Sequence, residues 1–200
     1  MTQQRDALER ILSLHKACPE AVVWSRSHAT LEDAWAALET SEWMLWGLEA
    51  FGFTGDRKLR LFAASCALRS RALWDDPQHD AALEAATRAA TGASTKDELA
   101  AAYLATKKAA AKIVDRSDYT EGMAAAAAAA VSALRLPAME AAKDASRESA
   151  RAIAWDAKNG RPAAEELAWQ AGELRRIVGA DIHPLIADVR RRTRGALHVL

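Results

Sequence analysis

Apolar residues recur along most of this chain at three- and four-residue spacing, and strict alternation never survives five residues. The first spacing puts side chains on one face of a helix; the second would have marked a strand. Leu8, Ile11, Leu12 and His15 share a face of a first helix that ends near Cys18 and Pro19. Pro19 suits the opening turn of a short second helix through Trp24. Thr30 and Asp33 read as a capping box opening a helix with Trp35, and Ser41 as the cap of the next, which holds Trp43, Leu45 and Trp46. Gly52 and Gly55 interrupt the pattern. Asp56 then caps an expected helix from Arg57 to Trp74, with Leu59, Phe62, Ala63, Cys66, Leu73 and Trp74 as one apolar stripe. Leu61, Ala64, Leu68 and Ala72 give it a second stripe, so it reads as a central helix packed from more than one side.

Beyond it, Asp76-Pro77 starts a helix that Gly92 stops, and Ser94-Thr95 with Asp97 and Glu98 opens one to about Asp115. Ser117 or Thr120 opens a helix through the alanine run 124–130 to Leu136. Pro137 begins another to Lys158, Pro162 one to near Gly179, and Asp181 caps the last, with His183-Pro184 near its start. The pattern predicts an all-α fold: a compact array of about nine to eleven antiparallel helices on short loops.

Composition sharpens this. Alanine supplies 49 of 200 residues, against 9 glycines and 5 prolines, so the best helix former is abundant and helix punctuation scarce. Five of seven Trp and all three Phe precede residue 75. A Trp-rich bundle over 1–75 is therefore expected, followed by an Ala-rich helical region over 76–200 packed on it as one continuous domain. Alanine faces let helix axes approach near the short end of the usual range. No fixed repeat of solenoid length is present.

The 27 Lys and Arg balance 27 Asp and Glu, which excludes a polycation coating nucleic acid. The longest weakly charged apolar run, Gly122 to Leu134, is too short to span a bilayer. The N-terminus has no apolar signal-peptide region, and Cys18 and Cys66 make no disulfide framework, so a cytoplasmic protein without membrane association is expected. Cys66 reads as a small core residue and His15 as partly buried. His15, His28, His79, His183 and His198 never pair at helical spacing, and CxxC, HxxxH and ExxH are missing, so no metal is expected. Phosphate-binding glycine loops and nucleophile elbows are missing too, so neither cofactor nor catalytic residue is assigned.

Charge is unevenly placed. Residues 1–100 hold 11 basic and 15 acidic side chains, and residues 101–200 hold 16 and 12, a swing from −4 to +4. Arg190, Arg191, Arg192 and Arg194 make a basic end. They either complement a helix C-terminal dipole or form a footprint for an anionic protein or nucleic acid. On the helix from Pro162, the expected buried stripe is Ala164, Leu167, Ala168, Ala171, Leu174 and Val178. Trp169 lies about 160° from it, either covered by a second layer or free to anchor a partner.

The segments Thr30-Leu-Glu-Asp-Ala-Trp35, Glu42-Trp-Met-Leu-Trp46 and Arg57-Lys-Leu-Arg-Leu-Phe-Ala-Ala-Ser-Cys66, ahead of an alanine-rich helical tail, resemble a group of bacterial and phage proteins labelled immunity proteins. Cys18-Pro-Glu-Ala upstream of Trp24 fits the same pattern. By motif the resemblance covers about the first 75 residues, and Glu42 and Ala64 stand where the group more often has Asp and Cys. It implies an all-helical, non-enzymatic protein that neutralises a toxin, or another protein partner, by binding it. No site residue carries over, because Trp35, Trp43, Trp46, Leu59 and Phe62 are packing types. The alternative is a phage or host binder of nucleic acid acting through the arginine-rich end; a third class, a helical enzyme, would need a cleft with strongly perturbed polar groups.

Overall fold

The structure, a computed structural model, describes residues 2–156 and 163–196. Among them are eleven α-helices and no strand. They are α1 (Thr2–Leu14), α2 (Pro19–Ser25), α3 (Leu31–Ala37), α4 (Ser41–Ala50), α5 (Asp56–Arg69), α6 (Pro77–Thr91), α7 (Lys96–Ala110), α8 (Glu121–Ala133), α9 (Ala138–Trp155), α10 (Ala163–Val178) and α11 (Ile182–Ala196). Short 3-10 turns occupy Arg71–Leu73, Ile113–Asp115 and Gly179–Asp181. None of the described helices is long and apolar enough to cross a membrane.

The chain divides into two compact units, Met1–Thr54 with Val178–Leu200, and Gly55–Ile177. The composition change near residue 75 is not where the chain changes packing partners. The helix α5, although its sequence belongs to the aromatic half, packs on α6, α8 and α9, and α11 packs on α3.

In the first unit, the Thr30 hydroxyl accepts a hydrogen bond from the Asp33 N–H at 3.0 Å and opens α3 as its spacing predicts. The helix α4 starts one residue earlier than expected: Thr40 is its cap, and Ser41 is a buried residue of its first turn. Leu8, Ile11, Leu12, Leu31, Met44, Leu45, Leu48, Ile182, Ile186 and Val189 are buried.

In the second unit, alanine dominates. Ala63, Ala64 and Ala67 on α5, six alanines of α8 and five of α9 are buried, and these three helices pack on one another. The α6 boundaries follow the sequence signals. Asp76 accepts from the Gln78 N–H at 2.8 Å, Pro77 takes the first turn, and Gly92 closes the helix at φ +79°, a conformation that suits a residue without Cβ. At α7, Thr95 and Glu98 form a reciprocal capping box.

Two expectations for the central helix are corrected. It ends at Arg69 rather than Trp74, because Ser70 turns back: its N–H and its hydroxyl both donate to the Ala67 carbonyl, at 3.2 and 3.1 Å. The 3-10 turn that follows breaks the helical phase yet delivers Trp74 into the interior. The second stripe is incomplete, since Leu68 and Ala72 are exposed and Leu61 is half-buried. The helix is still central, with neighbours on three sides in α6, α8 and α9.

Candidate functional site

Four tryptophans of the first unit, Trp24, Trp35, Trp43 and Trp46, are each half-buried. Short helices bring them together. Trp43 and Trp46 are three residues apart on α4 and so share a side of that helix, while Trp24 meets Trp43 edge to face at 5.8 Å and Trp46 meets Phe51 at 6.4 Å. With Leu8, Leu12, Leu31 and Ile186 they line an open cleft of about 60 Å³ free volume whose wall is almost entirely carbon. An indole presents large rigid area with few torsions to freeze, so a ring left half-covered remains a ready apolar contact. The ring centroid of His28 lies 4.2 Å from that of Trp24, with its Nε2 buried and without a hydrogen-bond partner among the described residues.

The surrounding stretch is acidic. Between Arg26 and Arg57 there is no Lys or Arg, whereas Glu32, Asp33, Glu39, Glu42 and Glu49 fall within it. Glu39 and Glu42 are exposed. The exposed Glu39 and Glu42 carboxylates beside an apolar cleft make a surface complementary to a large apolar side chain flanked by cations.

The basic end is largely spent inside its own unit. Arg190 pairs with Glu32; Arg191 and Arg192 both pair with Asp188, at 2.6 and 2.7 Å; and Arg192 donates to the Phe51 carbonyl at 3.0 Å. Arg194 belongs to α11, but its side chain lies outside the described residues. His15 stacks edge-on to Phe51 at 5.3 Å, and burial together with the Arg192 charge holds its pKa below the ordinary value.

Trp169 belongs to the other unit, half-buried under the Arg69 guanidinium, whose central carbon is 4.5 Å from the ring centroid. The stripe expected on α10 is corrected here: Ala164 and Ala168 are exposed, whereas Glu166 and Gln170 are buried with Ala171, Leu174, Ile177 and Val178. Hydrogen bonding explains the rotation. Arg69 donates to one Glu166 oxygen from Nε (3.1 Å) and Nη2 (3.0 Å), and Gln170 Nε2 donates to the other (3.2 Å). Gln170 also exchanges bonds with Ser146 of α9, giving to its carbonyl at 3.0 Å and accepting from its hydroxyl at 2.8 Å. Long polar side chains thus tie α10 to α5 and α9, a link that a count of apolar positions cannot see.

This network holds α5, α9 and α10 together. Glu166 is held by Arg69 and Gln170, and burial, reinforced by the Glu166 and Glu173 charges, pushes the neighbouring Cys66 thiol well above its usual pKa. A thiol so placed is not a nucleophile. Among the described residues no group of three or more His, Cys, Asp or Glu could hold a metal ion.

The sequence alone marks Trp35, Trp43 and Trp46 as packing residues. Nothing in their spacing shows that the rings stop short of closing over one another. Comparison with protein-family models, with curated proteins and with solved structures finds no match.

Proposed function

We propose that this protein is a non-enzymatic binding module that captures a basic protein partner, in the manner of an immunity protein neutralising a toxin. The observation that carries the reading is the open tryptophan cleft of the first unit beside the exposed carboxylates Glu39 and Glu42. Tryptophan is the residue most often found to dominate binding energy at interfaces, and an acidic surround steers a cationic partner and speeds its encounter. Nucleic acid binding through the arginine-rich end has less support, because Arg190, Arg191 and Arg192 already serve Glu32, Asp188 and the Phe51 carbonyl.

The test is capture from the native host with the wild-type chain and with two variants, Trp43→Ala and Glu39→Lys/Glu42→Lys, each checked for unchanged helicity. The expected result is one basic protein retained by the wild type, lost with Trp43→Ala, and weakened more than tenfold by the charge reversal at low salt. Retention that ignores both variants, or no retained protein with a folded bait, overturns the reading.

A further inference from the structure

The second unit contains a different kind of opening. A cleft of mixed polarity with about 130 Å³ of free volume lies among the start of α5, the end of α6 and the start of α7, its charged and polar wall formed by Asp56, Arg57, Arg60, Ser94, Thr95 and Lys96 and its apolar part by Ala89, Leu99 and Leu136. Three cations therefore face one carboxylate.

Arg60 is 5% exposed. Its Nη1 donates to the carbonyls of Ala133 (3.1 Å) and Arg135 (3.2 Å), and its Nη2 to Arg135 again (3.2 Å), capping the end of α8. Carbonyl dipoles account for those hydrogens, and the Nε–H and second Nη2–H have no acceptor among the described residues. No carboxylate there forms an ion pair with Arg60, which is unusual because a buried charge is ordinarily neutralised by a partner. Burial indeed lowers the Arg60 pKa, with Asp56 opposing the shift.

The two exposed cations are also unspent. Most described arginines are ion-paired, yet Arg57 and Lys96 have neither hydrogen-bond nor ion-pair partner among the described residues. Arg57 is held close to the chain turn: its Nη2 lies 2.7 Å from where a Cβ on Gly92 would sit, a place only glycine leaves open. At the first turn of α7 the capping box occupies the Thr95 and Glu98 N–H groups. The N–H groups of Lys96 and Asp97 remain without an intrahelical acceptor.

From these features together we infer that the cleft binds a tetrahedral oxyanion of the phosphate-monoester class, with Arg60 and Arg57 as donors on one side and Lys96 with the α7 amides on the other. Charge-assisted donors of this kind make the strong hydrogen bonds that such anions need. The site lies wholly within Gly55–Ile177 and is independent of the tryptophan cleft.

The experiment is a calorimetric titration of the full chain with inorganic phosphate at constant ionic strength set by chloride, with the amide resonances of Lys96 and Asp97 followed in parallel. O-phosphoserine and AMP form separate arms to distinguish a modified protein from a nucleotide as the natural source. Saturable phosphate binding that moves those amides is expected, weakened about tenfold or more by Arg57→Gln and by Lys96→Gln. Both residues are exposed, so the variants keep their melting behaviour. Binding that is not saturable, that leaves the two amides unmoved, or that survives both substitutions within about twofold overturns the inference.

Discussion

The two units use the same secondary structure and opposite packing materials. The first is built on indoles and leucines, and its described buried polar residues are two serines, Ser25 and Ser41. The second is built on alanine, and it holds Arg60, His79, Glu166 and Gln170 in its interior. Large aromatic side chains bury much area each but meet at fixed angles, leaving a cleft where four rings fail to close. Alanine buries little per residue and works by proximity, so helix faces seal while corners are left over. In the second unit those corners are reached by long polar side chains, which join elements through hydrogen bonds. The first arrangement leaves apolar surface uncovered; the second stores its vulnerability in a few buried polar links.

The largest break in that contrast should come from the link between α5 and α10. Arg69→Ala leaves the Glu166 carboxylate buried without its cation and uncovers Trp169, so a loss of about 3–5 kcal/mol is expected in urea unfolding. Next, Ala129→Leu on the sealed α8 face should cost about 1–3 kcal/mol through overpacking, with a lowered melting temperature as readout.

A smaller effect should appear with pH. Buried His79 has its Nδ1 3.3 Å from the Trp74 carbonyl and its Nε2 3.2 Å from that of Ala67, and a neutral ring can donate to only one of them. Burial holds its pKa below the ordinary value, against the opposing pull of both carbonyls and of Asp80 and with a minor contribution from Arg71. The unfolded chain therefore takes up a proton first. His79 contributes stability that is present above about pH 6.5 and lost as pH falls through the folded value. His15 acts with the same sign in the first unit. The urea midpoint should drop between pH 7 and 5, and His79→Gln should flatten that drop more than His15→Gln.

The smallest change should be a gain. Gly47 sits in α4 on the wall of the tryptophan cleft, and an added Cβ would meet Phe51 at 3.9 Å, an ordinary contact. Gly47→Ala should stabilise by about 0.5–1 kcal/mol, measured by thermal melting.

Much of the fold could be read from local chemistry. Thr30, Asp76, Thr95 and Gly92 mark helix ends through hydrogen bonds and backbone conformations that involve only near neighbours. Ser70 is where such reading failed: a hydroxyl and an amide turning on one carbonyl ended α5 five residues before the apolar stripe did. The candidate site was less legible. The stripe that set Trp169 apart was misplaced because Glu166 and Gln170 are buried by partners about 100 and 24 residues away, Arg69 and Ser146. Nothing near Arg190 in the sequence shows that Glu32 will neutralise it.

Helix content, the capped boundaries and the split between aromatic and alanine-rich stretches follow from the sequence alone, because each depends on side chains acting within a turn or two. Which helices share a unit, which charges are cancelled and which are left without an ion-pair partner among the described residues were decided only by tertiary structure. Those outcomes depend on pairs far apart in the chain, and the energy of a polar or aromatic group is set by what finally lies beside it.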